Sequence, residues 1–105
     1  MKDDKPLIRG AVVYFVDNTR PYLVVSNNAA NKHAADISVV PLSAKNKRVD
    51  LKTHTRINYH KSYVLCEHVQ TVPKDNIRCI PHVVNGSIMR RVDECLRVAL
   101  ALDRD

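Results

Sequence analysis

The apolar residues of this chain fall into short runs as far as Val84, and only once, from Ser87 onward, does their spacing change to that of a helix. Many short strands and one terminal helix are the result. The first run, Ala11 to Val16, is rich in β-branched and aromatic residues, and a second, Tyr22 to Val25, follows closely enough to pair with it. Pro21 stands at the entrance to the second run, where its missing N–H costs least, and it biases Arg20 toward an extended backbone. Residues 27–35, rich in Asn and Ala, read as a loop carrying one helical turn, and Ile37 to Leu42 as the next strand, with Ser43 at its exit.

Lys45 to Arg48 is a basic loop, and Leu51 to Ile57 a short polar strand suited to a sheet edge. Tyr63 to Val72 is the longest strand expected, with Leu65, Glu67, Val69 and Thr71 on one face and Val64, Cys66, His68, Gln70 and Val72 on the other. Pro73 to Asn76 reads as a turn before a last strand, Ile77 to Val84. Asn85 then caps a helix whose apolar stripe, Ile88, Val92, Cys95, Leu96, Ala99 and Leu102, opposes Arg90, Arg91, Asp93, Glu94 and Arg97. The expected fold class is mainly β (α+β), a small, strongly bent antiparallel barrel with a C-terminal α-helix packed across it. Residues 1–105 form one domain, with 1–7 and 103–105 expected to fray.

A formal charge of +6 favours a polyanion or an acidic protein segment as partner, because the net field steers association. Cys66, Cys79 and Cys95 form no C-x-x-C pair, and the five histidines lack the i, i+4 spacing of a helical metal pair, so neither a disulfide framework nor a metal site is expected. The polar stretch Met1 to Pro6 has no apolar core, and no apolar run reaches the length that spans a bilayer. A cytoplasmic protein without membrane association is the expectation.

The segments Thr19-Arg20-Pro21, Val39-Val40-Pro41-Leu42-Ser43 and Val64-Leu65-Cys66-Glu67-His68-Val69 each set polar residues at the rim of an apolar strand. From spacing alone, Arg20 reads as a solvated strand-end arginine and Ser43 as a turn residue. With Thr53-His54 between these segments and Met89 to Leu96 after them, their order resembles the MazF/PemK family of toxin endoribonucleases, over roughly residues 8 to 102. The resemblance implies an SH3-like barrel of the CcdB/MazF/PemK type. It also implies the toxin of a bacterial type II toxin-antitoxin system, a metal-independent, sequence-specific endoribonuclease that needs no cofactor. Such an enzyme cleaves single-stranded mRNA by 2'-hydroxyl attack, leaving 2',3'-cyclic phosphate and 5'-hydroxyl ends. Family members form homodimers whose interface helps to build the RNA groove, and a short acidic tail of a MazE-like antitoxin blocks it.

Carried onto this sequence, the resemblance assigns catalysis to Arg20 and Ser43. A guanidinium matches two phosphate oxygens and keeps its charge, so Arg20 is read as a stabiliser of the transition-state charge rather than a proton acceptor. Glu67 is expected partly buried on its strand face, either paired with Arg20 or bonded to backbone N–H groups. His68 stands where the family usually has Gln, and Gln70 where it often has Arg. Asn27, Lys32, Lys45, Lys47, Arg48 and His54 complete the supporting and RNA-contacting candidates. The chain departs from the family in its short first loop, Asp17-Asn18-Thr19, in Ser43 for Thr, and in Arg9-Gly10-Ala11 for Arg-Gly-Asp. These departures keep two rival readings open: a catalytically silent RNA- or antitoxin-binding module, and a CcdB-like gyrase inhibitor on the same fold.

Overall fold

The computed structural model describes residues 4–44 and 53–101. β1 (Ala11–Phe15) and β2 (Tyr22–Val24) pair antiparallel, as their apolar patterns predict, with Val12 opposite Leu23 and Val13 opposite Tyr22. The intervening loop is held by its own side chain, Asn18 Oδ1 accepting from the Arg20 amide at 2.9 Å. Residues Asn28–His33 form a single short helix, α1, capped by Asn27, whose side chain accepts from the Ala30 amide. β3 (Asp36–Ser43) follows, then β4 (His54–Arg56) and β5 (Tyr63–Leu65). β6 (Gln70–Pro73), a one-turn 3-10 segment, β7 (Ile77–Val83) and α2 (Gly86–Ala99) complete the order.

The sheet runs β4-β5-β3-β2-β1-β7, with β6 also paired to β3. β5 takes the Leu42–Ser43 end of β3 and β6 the Asp36–Val39 end. Both use the same edge of one bent strand. The expected continuous strand over 63–72 is therefore broken. The pairing of β6 on β3 is offset by three residues from that of β5, and a turn at residues 66–69 takes up the difference. Its closing bond runs from the His68 amide to the Leu65 carbonyl, 3.1 Å. The face alternation read for Glu67 and His68 fails with the strand, and both side chains are exposed. The first strand likewise stops one residue short of expectation, at Phe15, leaving Val16 exposed.

Two apolar clusters lie on opposite faces. Val12, Leu23, Val40, Leu42, Ile57, Val64 and Cys66 pack against Ile88, Met89, Val92, Cys95 and Leu96 of α2. Ala11, Val13, Phe15, Tyr22, Val24, Ile37, Val39 and Ile80 fill the other side, where the sheet curls over itself. Asn85 caps α2 as expected, its side chain accepting from the Ile88 amide at 2.9 Å. Gly10, with φ at 99°, lets the chain pass close beneath the helix; a Cβ there would stand 3.2 Å from Cγ of Met89. Arg9 bridges helix and sheet, reaching Asp93 at 2.6 Å and donating through Nε to the Val25 carbonyl at 3.0 Å. No helix of the described residues is long and apolar enough to cross a membrane.

Candidate active site

The β2–β3 register runs to within two residues of Arg20 on one strand and of Ser43 on the other. β2 and β3 pair as Tyr22 with Pro41, Leu23 with Val40 and Val24 with Val39. The ladder continues past the strand end, because the Leu42 amide donates to the Pro21 carbonyl at 3.0 Å. Pro21 has no donor to return and the chain bends at Arg20; the register, carried one residue further, aligns Arg20 with Ser43. That rung is of the type without mutual hydrogen bonds, in which facing side chains stand closest.

Ser43 also pairs with Tyr63 of β5, and Tyr63 with Arg56 of β4. Ser43, Tyr63 and Arg56 thus share one row across β3, β5 and β4, and the extended register adds Arg20 at its end, about 14 Å from Arg56 at the usual strand spacing. Alternation puts the row on the face away from α2, since Leu23, Leu42, Val64 and Ile57 beside them all belong to the cluster under the helix. Arg20 is exposed and Ser43 half-buried. Among the described residues, the Arg20 guanidinium has no hydrogen-bond or ion-pair partner. A free cationic fork beside a hydroxyl is suited to two oxygens of one phosphate.

Gln70 lies on this same face, opposite Val39, and lines a cleft of about 170 Å³ with Phe15, Asp17, Asn18 and Tyr22. The cleft abuts the Arg20 end of β2. Glu67, however, does not pair with Arg20. Its Oε2 accepts from His54 Nε2 at 2.7 Å, and His68 Nε2 lies 3.7 Å from the same oxygen. Partial burial raises the Glu67 pKa, but the hydrogen bonds from His54, from its own backbone and from Thr53 outweigh it and leave the carboxyl below its ordinary value. The His54–Glu67 contact fastens the 66–69 turn to β4.

Asn27 and Lys32 are not brought to the row. Asn27 sits beyond the opposite end of β2 from Arg20, engaged as the α1 cap, and the exposed Lys32 lies on α1 itself. Lys45, Lys47 and Arg48 fall outside the described residues. Sequence reasoning missed Tyr63 and Arg56; only the register of two strand pairs reveals them as neighbours of Ser43. Among the described residues no three His, Cys, Asp or Glu side chains cluster as metal ligands.

Residues 14–100 match the sequence family described as PemK-like, MazF-like toxin of type II toxin-antitoxin system. The chain belongs to this PemK/MazF toxin family. It is 26% identical to Endoribonuclease EndoA of Bacillus subtilis strain 168 over 112 aligned residues, covering 91% of this chain and 97% of the relative. A solved endoribonuclease from a Mycobacterial species superposes with a TM-score of 0.82 at 28% identity, covering 93% of this chain and 94% of that one. An endoribonuclease solved in complex with its cognate antitoxin, also from a Mycobacterial species, gives 0.83 at 27% identity, covering 96% and 100%. MazE-MazF from Deinococcus radiodurans, at 19% identity over 93% and 99% of the two chains, shares the fold with a TM-score of 0.77. The PemK/MazF toxins thus have in this chain a member whose curled sheet and terminal helix are those expected from its residues.

Proposed function

We propose that this toxin is a sequence-specific endoribonuclease whose Arg20–Ser43 rung cleaves single-stranded mRNA. The observation that carries the reading is the Arg20 guanidinium, without a partner among the described residues and in register with Ser43, in a chain of the PemK/MazF family. The 2'-oxygen adjacent to the scissile bond attacks phosphorus and the bond from phosphorus to the 5'-oxygen breaks, giving a 2',3'-cyclic phosphate and a 5'-hydroxyl. Negative charge grows on the non-bridging oxygens as the new bond forms. Arg20 donates to them from two nitrogens and Ser43 from its hydroxyl, which lowers the barrier more than it lowers the ground state. A guanidinium with pKa above about 12 gives up no proton near neutrality, so the 2'-hydroxyl proton leaves to solvent at this open face and the 5'-oxygen takes one from it.

Gln70 and the basic loop of Lys45, Lys47 and Arg48 extend the RNA contact on this reading, and Asn27 and Lys32 meet a longer strand at its far end. Glu67 and His54 support the turn that carries His68. The reaction needs no cofactor and is placed in the cytoplasm, where the chain forms a homodimer and an acidic MazE-like antitoxin segment competes with RNA for the basic face. The relative solved with its cognate antitoxin supports that partner. Incubating the purified protein with a long single-stranded RNA in EDTA, and identifying the product ends, tests the chemistry. Discrete fragments with 2',3'-cyclic phosphates are expected; 3'-hydroxyl ends, or cleavage abolished by EDTA, would reject it.

A further inference from the structure

Of the five aromatic residues of the chain, four are committed to internal contacts. Phe15 and Tyr22 meet edge to face at 5.4 Å, the Tyr14 and Tyr59 hydroxyls bond to each other at 3.2 Å, and Tyr59 stacks on His82 at 5.3 Å. Tyr63 differs. It is half-buried, it stands directly opposite Ser43 of β3, and among the described residues its only ring contact is the exposed Arg56 guanidinium, 5.9 Å from the ring centre. Among the described residues its hydroxyl makes no hydrogen bond. A contact of 5.9 Å lies at the outer limit of cation–π attraction, so Arg56 is free to turn toward another charge at little cost.

We propose that Tyr63 is the stacking platform for the base next to the scissile phosphate, and that Arg56 holds the following phosphate. The inference rests on the nuclease reading of the Arg20–Ser43 rung. Single-stranded RNA is held by splayed bases stacked on aromatic rings, with arginine beside the ring and cations tracking the backbone. The row supplies these groups in order: a phosphate-binding fork at Arg20, a hydroxyl at Ser43, a spare ring at Tyr63 and a second cation at Arg56. The step from Ser43 to Tyr63 is one strand spacing, about 4.8 Å, which keeps a base on the ring and its phosphate at the hydroxyl within one nucleotide's reach. An acidic protein segment would use the two arginines but has no use for a bare ring between them. RNA is therefore the occupant the face fits. Tyr63 and Arg56 act as positioning residues, setting the scissile bond on the rung.

The test uses wild type, Tyr63→Leu, Tyr63→Phe, Tyr63→Trp and Arg56→Gln on an oligoribonucleotide taken from the fragments wild type produces. A second copy of that RNA carries a 2'-deoxy sugar at the cleaved position and 2-aminopurine beside it. Tyr63→Leu is expected to raise KM about tenfold or more while kcat stays within about threefold, and to lose most of the 2-aminopurine quench on binding. Phe and Trp are expected to keep both, because the π-face remains; they also keep the test alive if the leucine variant folds poorly. Arg56→Gln is expected to lower the slope of log affinity against log salt by about 0.7. A folded Tyr63→Leu protein with wild-type KM and full quench would overturn the platform, and an unchanged salt slope in Arg56→Gln would overturn its phosphate contact. Loss of oligoglutamate binding with RNA binding kept would give the face to an acidic protein and overturn it too. A wild type that leaves RNA intact overturns the nuclease reading instead; the quench, read on an uncut oligoribonucleotide labelled at each position, still decides whether Tyr63 stacks a base.

Discussion

Arg20 and Glu67 show how differently two charged residues at strand ends are used. Arg20, past the last hydrogen-bonded rung of β2, has no partner for its guanidinium among the described residues, whereas Glu67 is satisfied internally by His54. The Glu67 contact therefore belongs to stability. Because the folded pKa lies below the ordinary glutamate value of 4.5, the stabilisation is complete above that value and is lost as pH falls through the depressed one. In thermal melts, wild type is expected to exceed Glu67→Gln above the ordinary glutamate value of 4.5, the two converging as pH falls below it. A margin that grew on acidification would contradict the pairing. The cysteines give a second residue-level expectation. Burial, chiefly, and the neighbouring Cys95 and Glu67 push the Cys66 thiol up to about 12, while Cys79 is partly exposed at the sheet edge. Iodoacetamide at neutral pH is expected to label Cys79 in the native protein and to reach Cys66 only on unfolding, as peptide mapping by mass spectrometry would show.

At the scale of elements, α2 depends on its ends. Asn85 holds the Ile88 amide, and Asn85→Ala is expected to cost about 1 kcal/mol, lowering Tm by roughly 4–8 °C in a domain of this size. A calorimetric Tm within about 1 °C of wild type would mean the cap contributes nothing. The helix was readable because its apolar stripe has a period no strand shares, and β2 and β7 because Pro21 and Asn85 bound their apolar runs. The break after Leu65 was not readable. Residues 63–72 alternate well enough for one strand, and the cause of the turn is the three-residue offset between β5 and β6 on β3, a property of pairing rather than of either segment. The Arg20–Ser43 rung was half legible. Pro21 announced an extended Arg20 at a strand entrance and Ser43 an exit, but Tyr63 and Arg56 carry no local mark, since their relation to the rung is two strand pairings away.

For the whole molecule, the curled sheet divides the labour between its faces. One face is closed by α2 and the Arg9–Asp93 bridge; the other buries its middle in the second apolar cluster. The account as a whole turns on Arg20 acting on the scissile phosphate. Its most direct test is the single-turnover rate of RNA cleavage by Arg20→Ala beside wild type, in EDTA, with matched melting curves. A fall of about 10²- to 10³-fold in a folded protein is the predicted result, the usual cost of losing a donor aimed at developing charge; a folded Arg20→Ala protein that cuts at the wild-type rate would contradict it.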